Sequence, residues 1–150
     1  AESELAQSIA KYGLVDAPEE SYVMDCVARV PGVIAVAAAT EETDTNNLLG
    51  KAGSYYARIV FSYELVGNSS AQGANLVAQG TDCGGSIEVF NTAEDAEKRS
   101  VYLGAFDGTV FASGSHTVIG TVLVRTSDKL TASQQKELEA NIIEILTTVS

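Results

Sequence analysis

Tyr55-Tyr56-Ala57-Arg58-Ile59-Val60-Phe61-Ser62-Tyr63-Glu64 is the stretch that decides the fold class. Tyr55, Ala57, Ile59, Phe61 and Tyr63 alternate with Tyr56, Arg58, Val60, Ser62 and Glu64. A period of two marks a strand, because successive side chains point to opposite faces of a sheet. The first set is apolar and belongs against a core. The second carries a charge of each sign and reads as a mostly wet face. A sheet with one apolar face must bury it against another layer, which the helical stretches on either side can supply.

Upstream, Val33 to Ala39 reads as a strand packed on both sides, paired antiparallel with the first across the polar loop Thr40 to Gly53. Before it, Asp16-Ala17-Pro18-Glu19 has the form of a helix start, with a capping aspartate, a proline in the first turn and a glutamate three residues on. Tyr22, Val23, Cys26, Val27 and Val30 follow at helical spacing, and Pro31-Gly32 ends the run. Residues 1–15 read as a linker helix. Downstream, Gly67 to Gly85 is a Gly-, Ser- and Asn-rich loop, with Ala74 to Ala78 as an ordered piece within it. Ser86 to Phe90 is a short strand. Thr92-Ala93-Glu94-Asp95 opens a helix with Ala96, Ser100 and Leu103 inward. Asp107-Gly108 marks a turn. Thr117 to Arg125 is apolar on both faces and reads as one central strand. Thr131 to Gln134 caps a last helix with Leu138, Ile142, Ile145, Leu146 and Val149 in one stripe.

Together these predict one α+β domain with residues 16–150 as its core. It is a two-layer sandwich, ferredoxin-like or related, with a mixed or antiparallel sheet of about four strands and helices on one face. Ser86–Phe90, the Thr92 helix and Thr117–Arg125 are expected to form one βαβ unit.

The chain has 150 residues, 45% of them hydrophobic, enough for one core and unlike a disordered segment. Its longest apolar run, Val33 to Ala39, is too short to cross a bilayer. Twenty acidic residues against nine basic ones give a formal net charge of −11. Nucleic-acid binding needs clustered Lys and Arg, and only Lys98-Arg99 clusters that way. An anionic membrane surface is disfavoured for the same reason. The chain opens Ala1-Glu2-Ser3 without a methionine or a signal-peptide pattern, which suits a processed or trimmed chain.

Motifs with a mechanism are few. There is no Gly-x-Ser-x-Gly elbow, and around Gly50-Lys51 the phosphate-loop pattern fails at Thr45 and Ala52. Gly80 to Gly85 lacks dinucleotide spacing and reads as a turn. No cofactor is expected. His116, the one histidine, is expected to be structural near a strand start. Thr40 to Asn47 concentrates oxygen ligands and admits two readings. One is a calcium site on Glu41, Asp44 and Asn46; the other, which the spacing favours, is an Asx-rich loop capping its own backbone. Cys26 and Cys83 either form a disulfide or remain one core thiol and one partly exposed thiol. Tyr56, Arg58, Ser62, Glu64 and Glu88 make the open sheet face a candidate contact surface.

Two stretches carry a resemblance. One runs through Thr40-Glu41, Asp44, Asn46, Gly50-Lys51, Gly53 and Tyr55. The other runs through Gly84-Gly85, Glu88-Val89, Glu94-Asp95-Ala96 and Ala112 to His116. Both are similar to a domain of uncharacterised secreted or lipid-anchored proteins of Gram-positive, gut-type bacteria. The resemblance spans Tyr22 to Leu146 and implies an extracytoplasmic location, with no site residues to carry over. Glycine at the position of Cys83 in that pattern weighs against a shared disulfide. The function expected is a non-catalytic binding or accessory module of the cell envelope with a protein or glycan partner. The alternative is a small carboxylate- or metal-dependent hydrolase using Glu41, Asp44 or Asp82.

Overall fold

The computed structural model describes residues 13–66, 73–106 and 114–148. The 1–12 part of the expected linker helix, the Asp107-Gly108 turn and Val149 lie outside the described residues. In chain order the elements are α1 (Glu20–Ala28), β1 (Val33–Ala38), β2 (Ala57–Tyr63), α2 (Gly73–Gln79), β3 (Gly84–Val89), α3 (Ala93–Gly104), β4 (His116–Ile119), β5 (Val122–Thr126) and α4 (Ala132–Leu146). Short 3-10 turns follow β2 at Glu64–Val66 and α2 at Gly80–Cys83.

The class is α+β, with a five-stranded open sheet in the order β1-β2-β3-β5-β4 and every neighbouring pair antiparallel. The strand count is five rather than about four because Thr117–Arg125 is two strands. Gly120 interrupts it at φ +59°, and a two-residue turn pairs Ile119 with Val122. A Cβ at Gly120 would also run into the Val15 carbonyl, so the turn requires glycine. The expected βαβ unit is consequently split. β4, reached through α3, runs parallel to β3, and β5 inserts antiparallel between them. This split unit is the feature shared with ferredoxin-like sandwiches. β1 is an edge strand, half-buried except at the exposed Ile34, and it is packed on both sides as expected: Val33 and Val36 lie against the main core, and Ala35 and Ala37 against Val60, Leu76 and Cys83.

Helix ends follow local chemistry. Thr131 and Gln134 form a reciprocal capping box on α4, and the Thr92 hydroxyl accepts from the Asp95 amide at the start of α3. The start of α1 departs from expectation: the cap position is Glu19, its side chain makes no capping bond, and Asp16 lies outside the helix. Gly32, at φ +89°, turns the chain out of α1 towards β1.

One sheet face carries the main core. Ala57, Ile59, Phe61 and Tyr63 of β2, Ile87 and Val89 of β3, and Val122 and Val124 of β5 pack against Val23, Cys26 and Val27 of α1 and Leu138, Ile142 and Leu146 of α4. Each aliphatic side chain buried there stabilises by roughly 1.5–3 kcal/mol relative to exposure. This sheet-plus-helices layer is the sandwich that the alternation demanded.

The other face is covered as well. Val60 packs with Leu76 of α2 and with Cys83, while Leu123 packs with Tyr55, Phe90 and Ala96 and Leu103 of α3. Between those two apolar patches lie Arg58, Ser62, Ser86, Glu88 and Arg125, all buried. The expected wet face is therefore a second, polar interior. Tyr55 and Tyr56 also exchange sides relative to the simple alternation. They precede β2, and Tyr55 joins the polar side while Tyr56 packs against the main core.

Candidate functional site

The site is built from β2 and β3 upward. Arg58 and Glu88 stand opposite each other in the β2–β3 register, and Ser86 stands opposite Arg125 in the β3–β5 register. Strand geometry thus places two arginines and a glutamate on one buried face. A charge there needs a partner, since an isolated ion in a low-dielectric interior is prohibitively costly. Glu88 is held between two guanidinium groups. Arg99 of α3 reaches it through Nε at 2.9 Å and Nη2 at 3.5 Å, and Arg125 through Nη1 at 3.0 Å.

Arg58 is matched by Asp44 from the loop, Nη1 to Oδ1 at 2.9 Å, and it also donates to the Thr45 hydroxyl at 2.9 Å. The Asp44 carboxylate further accepts from the amides of Asn46, Leu48 and Leu49 and, at 2.7 Å, from the Tyr55 hydroxyl. Burial alone would raise its pKa. The backbone donors and the Tyr55 hydroxyl outweigh burial, and the carboxyl is held below its usual range. Burial, and then the bond to Asp44, push the Tyr55 hydroxyl well above its ordinary value.

These contacts settle the fate of the residues singled out from sequence. Asp44 is the organiser of the loop, and the cation it binds is Arg58. Glu41 is exposed, its carboxylate lying against Gly50, and Asn46 gives its Nδ2 to the Tyr55 hydroxyl at 3.1 Å. Asp44 and Asn46 meet at the Tyr55 hydroxyl, and among the described residues no group of three or more His, Cys, Asp or Glu is arranged to hold a metal ion. The loop follows the Asx-capping reading. Cys26 and Cys83 are both free and buried, and they sit in clusters on opposite faces of the sheet, so the disulfide does not form. His116 is half-buried and its Nδ1 meets the Ser100 hydroxyl at 2.9 Å, tying β4 to α3. On the proposed open face, Arg58, Ser62 and Glu88 are interior, and Glu64 lies past the end of β2.

Above this network lies a cavity of about 740 Å³, within the range of small-ligand sites. One wall is the loop carrying Asn46, Leu48, Lys51 and Ser54; the other is α3, through Asp95, Lys98, Arg99 and Tyr102, with Phe90 between them. Glu88 fixes Arg99 beneath the Tyr102 ring, whose centroid is 5.7 Å from the guanidinium carbon. Burial would lower the Arg99 pKa, but the charge and hydrogen bonds of Glu88 prevail and raise it. Sequence reasoning did not reach this cavity. Its one signal was Lys98-Arg99, the single basic pair in an acidic chain.

No family model, curated protein or solved structure matches the chain. Among the described residues, no helix is long and apolar enough to cross a membrane.

Proposed function

We propose that this chain is a non-catalytic binding module whose recognition site is the cavity between the 46–54 loop and α3. The observation that carries the reading is how the buried carboxylates are used. Asp44 is committed to an arginine, three amides and a tyrosine, and Glu88 to two arginines, so both serve the architecture beneath the cavity. What faces the cavity is suited to recognition: an amide, a hydroxyl, three cations, one carboxylate and the exposed ring of Tyr102 on α3. Of the residues offered for the hydrolase alternative, Glu41, Asp44 and Asp82, the buried one is Asp44, and its five donors commit it to the loop. An extracytoplasmic setting, in an accessory part of a cell-envelope protein, is supported by the resemblance of the Thr40–Tyr55 and Gly84–His116 stretches.

The test is an NMR titration of isotope-labelled protein with a panel of neutral and acidic oligosaccharides. Saturable shifts confined to residues 46–54 and 95–102, with the oligosaccharide recovered intact, are expected. Shortened oligosaccharide, or no movement of those amides with any member, would overturn the proposal.

A further inference from the structure

The geometry points to an acidic sugar as the ligand of this cavity: a hydroxylated ring bearing a carboxylate or sulfate group. The inference rests on the binding reading above and adds the chemistry of what is bound. The protein has 20 acidic and 9 basic residues, yet three of the nine, Lys51, Lys98 and Arg99, line this one cavity against a single carboxylate, Asp95. A third of the chain's basic residues gathers at this one concave site, and although Glu88 pairs with Arg99 and Glu94 with Lys98, Lys51 and the loosely held Lys98 leave cations there for an anion to meet. Lys98 has an exposed contact with Glu94 at 3.4 Å, a pair too solvated to hold it strongly.

Arg99 differs from the two lysines because it is pre-positioned. Its Nε and Nη2 are turned down to Glu88, and no described residue accepts from Nη1. A guanidinium already held by Glu88 at the wall of the cavity loses little side-chain freedom on meeting an acidic group. The remaining lining favours a ring with hydroxyls over a bare inorganic anion. Tyr102 is 57% exposed, its ring steadied by the edge of Phe106 at 5.3 Å between centroids. Phe90 and Leu48 add apolar wall beside it. Asn46 has given its amide N–H to Tyr55, which leaves Oδ1 as an acceptor, and the Ser54 hydroxyl lies on the same wall.

The experiment is calorimetric and NMR titration with glucuronate, glucose 6-sulfate, glucose, acetate and inorganic sulfate. Glucuronate and glucose 6-sulfate should shift amides 46–54 and 95–102, with acetate and sulfate weaker and glucose without effect. Comparing the two acidic sugars identifies which anionic group is preferred. Lys51→Gln and Lys98→Gln, both at exposed positions, should each weaken the acidic sugar about two- to fivefold, the worth of one solvent-exposed ion pair, while leaving the thermal melt unchanged. Tyr102→Ala should remove the preference for glucuronate over acetate. If neutral oligosaccharides move the same amides as strongly as acidic ones, the anion inference fails while the binding reading stands. If inorganic sulfate binds as well as glucose 6-sulfate, the sugar part fails. If nothing moves those amides, both fail.

Discussion

Asp44 shows how far one side chain can reorganise a loop. Its carboxylate collects five donors, so its removal strands a buried guanidinium and a buried hydroxyl at once. Asp44→Ala should destabilise the protein by about 3–5 kcal/mol in urea unfolding, because breaking a buried pair leaves an uncompensated charge. Adding Arg58→Met should restore much of that loss; a double variant no more stable than the single one would refute the pairing. The same residue sets a pH dependence. Its folded pKa lies below the unfolded value, so its contribution is complete above the ordinary carboxylate pKa of about 4 and drains away as pH falls through the folded value. Urea midpoints measured from pH 6 downward should fall below pH 4 in the wild type, and more shallowly in Asp44→Asn. The sequence made the loop conspicuous, since its oxygen ligands are local. It could not reveal that the cation is Arg58, fourteen residues on, because that pairing exists only once β2 is aligned beneath the loop.

Among the elements, β1, β2, β3 and the helices were legible, and the β4–β5 hairpin was not. The alternation over Ala57–Tyr63 and the stripe from Leu138 to Leu146 repeat often enough to identify their period. The run Thr117–Arg125 is nearly all β-branched or apolar, so its composition conceals the reversal at Gly120. That reversal separates one long strand from a hairpin. Gly120→Ala combines a positive φ with a collision at the Val15 carbonyl. It should cost upwards of about 1–2 kcal/mol, from the left-handed backbone alone, and hydrogen exchange should quicken first in β4 and β5. Thr131→Ala removes the hydroxyl that receives the Gln134 amide at 3.2 Å and should cost about 1 kcal/mol, read as a lower urea midpoint at unchanged slope.

For the whole molecule, the notable fact is that both faces of the sheet are interior, one aliphatic and one polar. The apolar face was legible because hydrophobicity reports burial directly. The second face was not, because Arg58, Glu88 and Arg125 look like solvent-facing residues until α2, α3 and the 40–54 loop close over them. The two thiols divide between these interiors. Cys83 is buried, which pushes its thiol up, and Cys26 lies in the aliphatic core. Both should react with a thiol reagent only after denaturant is added, and reducing agent should leave the melting temperature unchanged. Calcium should leave it unchanged too, since Arg58 already satisfies Asp44.

The ion pairs across β2, β3 and β5 have a further effect on how the strands find one another. A slip of one residue between neighbouring strands turns every side chain to the opposite face. Here such a slip would drive Arg58, Glu88 or Arg125 among the valines of α1 and the leucines and isoleucine of α4, away from the counter-ions they now meet. The polar interior thus proofreads the alignment of the three central strands: only the native pairing discharges all of its charges together.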